Sequence, residues 1–290
     1  IAARILMKIL YAARMARYDL LRPTCYLATK ITKWSARCDR ALHRLVCYIN
    51  CSLDIKMTTW VGDELKTWEL VAYSDADLAG DHDSSRSTSG VFLCMRAPRT
   101  FVTLQGISKR QSCVSHSTPE AEIVAADYAI RTEALPALQL WETLCGRSMK
   151  AKFMEDNTTA ISVMTSGKNP TMRHMSRTYR INIKFLHETV TNGHIQLIHC
   201  RTDHMCADIF TKHFTNLPKW QQVLGNIAHV NVKSTWGQAA GQLAPHPTSK
   251  ASAGQLASPA SSPSEMGKRT KVSQGCDVIR LTEEDDVTTP

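Results

Sequence analysis

Three strand-like segments lie close together between residues 70 and 107, and helices alternate with strands after them. The first segment covers residues 70–73 and runs into Ser-Asp-Ala-Asp, and segments 90–95 and 100–107 follow at short spacing. Short separations favour antiparallel neighbours, whereas the later alternation favours strands joined by helical crossovers. Together these patterns predict an α/β fold with one mixed sheet and helices on its faces.

The remaining elements are predicted from local signals. Ser117, Pro119 and Glu120 have the residue types of a helix start, and Pro136 should kink or break that helix before it ends near Gly146. The Asp-, Ser- and Gly-rich residues 80–89 are predicted to form a polar loop. The other predicted elements are a strand at 152–154, a helix at 178–191, a strand at 194–199 and a helix carrying residues 207–212.

The positive charge is concentrated at the start of the chain. The whole protein carries 35 Lys and Arg against 26 Asp and Glu, and residues 1–66 alone carry 12 basic and 5 acidic residues. Apolar residues recur at helical spacing in residues 5–13 and 41–49 of this segment. A basic helical segment beside a nearly neutral domain fits contact with a polyanion such as nucleic acid.

Three parts are therefore predicted. Residues 1–66 form a basic helical segment, residues 67–214 an α/β domain, and residues 215–290 a mostly disordered tail. The tail prediction rests on the Ala-, Gly-, Pro- and Ser-rich composition after Trp236, which offers too little apolar surface to bury.

The ten cysteines follow no regular spacing and no secretory signal is present, which favours reduced thiols in the cytoplasm or nucleus. No apolar run approaches the roughly 20 residues that span a bilayer, so we expect no membrane insertion. The first residue is Ile1, which suggests a piece of a longer polyprotein.

Four acidic residues stand at predicted strand ends or on predicted helices. Divalent magnesium prefers carboxylate oxygens, and two-metal phosphodiester cleavage needs several carboxylates that converge on one point. The ends of neighbouring strands and the first turns of helices can provide this convergence. The four candidates are Asp75, Glu122, Asp156 and Asp208.

The sequence around these acids resembles the ribonuclease H domain of copia-type retrotransposon Pol polyproteins, in order from about residue 67 to 214. A weaker similarity covers residues 5–56, where LYAARMARYDL (10–20) and CDRALHRLVCYIN (38–50) resemble the helical connection that follows the polymerase domain in such polyproteins. The motifs that carry the main resemblance are YSDADLAGD (73–81), SRSTSG (85–90), SKRQ (108–111), EAE (120–122), EDN (155–157), SRT (176–178) and ADIFTK (207–212).

The resemblance implies a ribonuclease H-like mixed five-stranded sheet flanked by helices, preceded by the helical segment and followed by the disordered tail. It also implies an endonuclease that cleaves the RNA strand of RNA–DNA hybrids during reverse transcription, with the polymerase domain of the same polyprotein as a partner. Two Mg²⁺ ions, with Mn²⁺ as an alternative, would be held by the four carboxylates. Asp75 would bridge both ions, Glu122 and Asp156 would each hold one, and Asp208 would complete the second site.

Seven further residues of these motifs are predicted to contact nucleic acid. Basic side chains hold phosphates, and 2′-hydroxyl groups in a wide, shallow groove distinguish RNA from DNA. These residues are Ser87, Thr88, Ser108, Lys109, Arg110, Asn157 and Arg177.

Other interpretations of the same acids remain open. Asp77 lies two residues after Asp75 and faces the same side of a strand, and Glu120 competes in the same way with Glu122. Asp156 could serve as a helix cap and Asp208 as a first-turn acid that the helix dipole favours. In that case the chain is a catalytically inactive relic that binds nucleic acid or a protein partner.

The C-terminal tail contains a candidate SUMO-interacting motif. Its extended apolar core could add to a sheet edge, and the acidic residues that follow could meet a basic rim. The alternative is an ordinary solvated acidic terminus. The core residues are Val278, Ile279 and Leu281.

Overall fold

The structure, a computed structural model, describes residues 1–81 and 83–235. The helices are α1 (Ala2–Met15), α2 (Leu21–Thr29), α3 (Ala36–Cys51), α4 (Thr118–Tyr128), α5 (Leu135–Cys145), α6 (Thr158–Ser166), α7 (Met175–Thr178), α8 (Ile183–Thr191), α9 (Leu217–Asn226) and α10 (Val232–Thr235). The strands are β1 (Ile55–Met57), β2 (Glu69–Asp81), β3 (Arg86–Ala97), β4 (Thr100–Arg110), β5 (Ala151–Glu155), β6 (Ile195–His199) and β7 (His229–Asn231).

Five strands form the main sheet in the order β4-β3-β2-β5-β6. The β2–β3 and β3–β4 pairs are antiparallel, whereas β5 runs parallel to both β2 and β6. The predicted mixed five-stranded sheet, flanked by helices and preceded by a helical segment, is confirmed.

Alternating residues of β2 face two different apolar cores. Leu70 and Ala72 pack with residues of α4, α5, α6 and α8, whereas Val71 and Tyr73 face a second core. The second core combines the N-terminal helices with residues 200–228. The helical segment therefore covers one face of the sheet.

Residues 217–235, which open the stretch predicted as a mostly disordered tail, are folded. Trp220, Val223 and Leu224 of α9 are buried in the second core, and β7 pairs antiparallel with β1. Apolar residues at helical spacing account for this helix. Residues 236–290 of the predicted tail lie outside the described residues.

Three local predictions were wrong. The predicted loop at 80–89 is mostly strand, because β2 extends to Asp81 and β3 begins at Arg86. The predicted helix at 178–191 begins only at Ile183, after an irregular turn. The predicted helix that carries residues 207–212 is only a short 3₁₀ helix, Cys206–Phe210, which includes Asp208.

The helical course continues through Pro136. Residues Ala129–Ala134 form a π-helical turn, and α5 begins directly after it with the proline in its first turn. Proline lacks an amide proton and clashes with the carbonyl four residues earlier, and a widened turn relieves both problems. The helical path therefore continues to Cys145.

Candidate metal centre

Asp75 of β2 and Asp156, which directly follows β5, lie at corresponding positions just beyond the last pair of the parallel β2–β5 ladder. Tyr73 of β2 pairs with Met154 of β5, and each acid follows two residues later. Residues at corresponding positions of neighbouring parallel strands lie side by side, so this register brings the two carboxylates together. Asp156 directly follows the end of β5, as predicted, whereas Asp75 lies within β2, which continues to Asp81, so its predicted position at a strand end was wrong.

Glu122 enters the same region from α4. The Ser117 hydroxyl accepts a hydrogen bond from the amide of Glu120 at 3.4 Å, which confirms the predicted helix cap. Glu122 is one turn inside the helix and is only 4% exposed. Its Oε2 has no hydrogen-bond partner among the described residues.

The three carboxylates form one cluster. One oxygen from each of Asp75, Glu122 and Asp156 lies within 4.8 Å of the others. Among the residues that the structure describes, this is the one group of three or more acidic, His or Cys side chains close enough to hold a metal ion. The Asp156 carboxylate accepts a hydrogen bond from the Thr202 hydroxyl at 3.0 Å.

Asp208 lies beside the cluster, on the far side of a lysine. The Lys212 ammonium lies 2.7 Å from Asp208 Oδ1 and 3.2 Å from Asp75 Oδ1. The Thr211 hydroxyl also donates to Asp75 Oδ2. Asp208 and Asp75 are therefore bridged by an ammonium group in this structure.

Gly90 permits this approach. It pairs with Asp75 across β2 and β3. A Cβ at Gly90 would lie 2.8 Å from the Ala207 carbonyl oxygen and 2.8 Å from the Thr211 methyl group. The absence of a side chain at this position therefore lets the segment that carries Asp208 pack against the sheet next to Asp75.

The cluster favours protonated carboxyl groups when no cation is bound. Burial, together with the Glu155, Asp75 and Asp156 carboxylates, raises the pKa of Glu122 to about 11. Burial and Asp75 raise the pKa of Asp208 to about 7. Burial also raises the pKa of Asp75, although Lys212 opposes this shift. Negative charge at this site therefore needs a compensating cation.

Two residues of the centre were missed by the sequence reasoning. Glu155 is fully buried, accepts a hydrogen bond from the Ser74 hydroxyl at 2.9 Å, and has a pKa raised to about 8, mainly by burial. Lys212 is the last residue of the ADIFTK motif, but the sequence analysis predicts no role for it. Its spacing of four residues from Asp208 in a helical segment was the available signal.

The two competing acids have other partners. Asp77 pairs with Arg22 at 3.3 Å and accepts a hydrogen bond from the amide of Thr88. Glu120 is 3.2 Å from the His174 ring and also accepts from a backbone amide. The geometry thus favours Asp75 and Glu122 over these alternatives as ligands.

The predicted nucleic-acid contacts fall into two groups. Lys109, Arg110 and Arg177 are exposed, with Arg110 paired to Asp81 at 3.0 Å. The other four residues have internal partners, and a direct contact with nucleic acid stays a prediction for all seven. Ser87 accepts from the amide of Ala79, the Thr88 amide binds Asp77, Ser108 donates to the Phe210 carbonyl, and Asn157 caps α6.

The SUMO-interacting candidate Val278, Ile279 and Leu281 lies outside the described residues. Within the part of the chain that the structure describes, no helix is both long and apolar enough to cross a membrane.

No protein-family model matches the chain, and no curated protein matches it. Among solved structures it is similar to LC11-RNase H1 isolated from compost, at 15% identity and a TM-score of 0.34 over 49% of this chain and 92% of that one. LC11-RNase H1 in complex with an RNA/DNA hybrid is similar at 13% identity and a TM-score of 0.35, over 49% of this chain and 94% of that one. The foamy viral protease-reverse transcriptase in complex with dsDNA is similar at 15% identity and a TM-score of 0.35, over 52% and 96% of the two chains.

Proposed function

We propose that the protein is a metal-dependent ribonuclease H of a copia-type retrotransposon Pol polyprotein. It would hydrolyse the RNA strand of RNA–DNA hybrids. Its partner in reverse transcription would be the polymerase domain of the same polyprotein. The observation that carries this proposal is the convergence of Asp75, Glu122 and Asp156 within 4.8 Å, from β2, the end of β5 and α4. The ordered motifs around these acids supply the family context.

The residues fit a divalent cation. All three side chains offer oxygen donors, which magnesium and manganese accept. The unpartnered Oε2 of Glu122 is a buried acceptor that a cation would satisfy. We therefore assign Asp75, Glu122 and Asp156 as the side chains that would hold Mg²⁺.

The pair of Asp75 and Asp208 is already bridged by the Lys212 ammonium. A second ion between these carboxylates would have to displace Lys212. The geometry thus fits one ion directly, and two only after this side chain moves. In this arrangement Lys212 provides a fixed positive charge next to the cluster.

When bound, the metal would supply a Lewis acid that activates a water molecule and stabilises the departing oxygen of the phosphodiester. The protein's residues would position this chemistry. Thr211 holds the Asp75 carboxylate, and Ser74 holds Glu155 behind the cluster. Lys212 would attract the phosphate and compensate its charge.

Cleavage of a labelled RNA–DNA hybrid in Mg²⁺ tests the proposal. Asp75→Asn and Asp156→Asn should lose activity by on the order of 10²-fold or more, because metal stabilisation is worth several kcal/mol. Glu122→Gln should lose activity to a similar extent, whereas the matched variant Glu120→Gln on the same helix should keep it. Hybrid binding without cleavage by the unaltered protein would instead support the inactive relic.

A further inference from the structure

A large cavity lies between the N-terminal helical segment and the edge of the metal centre. Its volume is about 700 Å³, within the range of small-molecule sites. Helices α2 and α3 supply one side, and residues 209–214 with α9 supply the other. Thr211 and Lys212, which contact Asp75, belong to the lining of this cavity, so the cavity and the metal centre share a wall.

The lining is cationic. It includes six Lys and Arg side chains against three Asp side chains. In the inner wall the cations are compensated, because Arg22 pairs with Asp77 and Lys30 pairs with Asp81 and Asp83. An anionic ligand would therefore depend on the cations nearer the mouth.

Two of these outer cations have no partner of their own. Lys33 and Arg44 are exposed, and neither forms an ion pair with any described residue. Asp39, the acid nearest to them along the chain, accepts a hydrogen bond from the Trp34 indole. Free cations at the mouth of a concave site favour an anionic ligand.

Aromatic rings line the same cavity. Tyr26, Tyr48, Phe214 and Trp220 contribute to its wall, and Trp220 lies 6.0 Å from Tyr48 and 5.7 Å from Phe214 between ring centroids. Cations that follow a phosphate backbone, combined with aromatic faces that stack on bases, are typical of single-strand nucleic-acid sites. An acidic peptide would use the cations but would not need the rings.

We infer that this cavity binds a phosphate-bearing nucleotide of a single nucleic-acid strand, next to the metal centre. Lys33 and Arg44 would hold phosphate groups, and the aromatic wall would pack against a base. This inference rests on the proposed function in one respect, because both take nucleic acid as the ligand. It differs in that binding in the cavity requires no metal and no cleavage.

Binding of a short fluorescein-labelled single-stranded oligonucleotide to the full-length protein in EDTA tests the inference. Lys33→Gln and Arg44→Gln should each weaken binding by about tenfold at low salt, the scale of one charged hydrogen bond. The magnitude of the slope of log affinity against log salt should fall by about 0.7 for each variant. Each variant makes one phosphate contact fewer and therefore releases fewer counterions when it binds.

Matched controls are available outside the cavity. Lys150 and Lys168 are exposed lysines that do not line it. Lys150→Gln and Lys168→Gln remove the same net charge, so they should keep the salt slope of the unaltered protein. Equal effects of the cavity and control variants would overturn the inference, and so would competition by polyglutamate as strong as that by unlabelled oligonucleotide. A thermal melt of each variant identifies loss of folding.

The two proposals fail in different ways. Hybrid cleavage in Mg²⁺ with unchanged oligonucleotide binding by Lys33→Gln and Arg44→Gln would overturn the cavity inference alone. Cavity-dependent binding in EDTA without any hybrid cleavage in Mg²⁺ would overturn the nuclease proposal alone. A free nucleoside monophosphate that competes as well as the oligonucleotide would show that the cavity takes single nucleotides, and would overturn the assignment to a strand.

Discussion

Replacing Glu122 with Gln should stabilise the metal-free protein while it removes the proposed activity. Glu122 is 4% exposed and its pKa is raised from 4.5 to about 11. At pH 7 the carboxyl group is therefore protonated in the folded protein and ionised in the unfolded chain. Folding at this pH must take up a proton, and this uptake opposes folding.

The magnitude follows from the interval between the unfolded pKa and the experimental pH. From 4.5 to 7 there are 2.5 pH units, and each unit is worth about 1.36 kcal/mol, so the penalty at pH 7 is about 3 kcal/mol. Gln does not ionise, and its amide would place a donor beside the Asp75 and Asp156 carboxylates. Glu122→Gln should therefore raise the free energy of unfolding at pH 7 by up to about 3 kcal/mol.

The pH dependence of this gain has a definite sign. Below pH 4.5 the carboxyl group is protonated in both states, so no penalty exists and the variant gains nothing. The penalty grows as the pH rises above 4.5, because the unfolded chain ionises while the folded protein does not. The stability difference between the variant and the unaltered protein should thus grow from about pH 4.5 to pH 7.

Urea unfolding in EDTA at several pH values measures this difference, with an unchanged slope against urea as the check on two-state behaviour. Glu120→Gln is the matched control, because its carboxylate has a histidine and a backbone amide as partners and should lose stability. Saturating Mg²⁺ should stabilise the unaltered protein, by about 2.7 kcal/mol at 100 times the dissociation constant, and leave Glu122→Gln nearly unaffected. Destabilisation by Glu122→Gln in EDTA, or a gain that does not change between pH 4.5 and 7, would refute the reasoning.

Three further predictions concern the supports of the site. Lys212→Met removes the ammonium group between Asp75 and Asp208. Titration calorimetry should therefore detect one bound Mn²⁺ ion in the unaltered protein and two in the variant. Equal numbers of bound ions would contradict the bridging role of Lys212. Gly90→Ala places a methyl group 2.8 Å from a backbone oxygen, so urea unfolding should show a loss of about 1–3 kcal/mol, whereas Gly225→Ala, with open space around it, should not be destabilised. Burial lowers the pKa of His229, so the contribution of the neutral ring to the free energy of unfolding is complete above pH 6.5 and is lost as the pH falls below 6.5. Urea unfolding curves at several pH values should show this loss in the unaltered protein, and His229→Gln should lack it.

The acidic centre was predictable because its geometry follows from strand register and helix capping. Asp156 follows the end of β5, and the parallel register with β2 places Asp75 beside it at one edge of the sheet. Ser117 fixes where α4 begins, and this start places Glu122 over the same edge. These signals are local, so a single sequence carries them.

The polar turn between β2 and β3 was misjudged because its polar residues are satisfied by distant partners. Asp81 accepts from Lys30, which directly follows α2, and from Arg110 of β4, and these charges hold its pKa well below the usual range despite some burial. Local composition predicts a loop here, whereas tertiary ion pairs allow the strands to continue. Glu155 was missed for the same reason, because folding brings its partner Ser74 from a distant part of the chain. The contact of Lys212 with Asp75 is equally distant, whereas its four-residue spacing from Asp208 was visible in the sequence.

The N-terminal segment is part of the same folded unit as the metal centre, although the sequence presents it as a separate basic region. Tyr18 lies against Phe210, with ring centroids 6.4 Å apart, and its amide donates to the His229 ring at 3.1 Å. A Cβ at Gly106 would lie 2.8 Å from both the Phe210 and the Tyr18 rings, so β4 is shaped to receive this packing. Phe210 follows Asp208 in the same 3₁₀ helix, and the position of that carboxylate therefore depends on the contact with Tyr18. Since the basic cavity lies along the same junction, the helical segment both supports the edge of the acidic cluster and supplies the cations through which a strand would reach it.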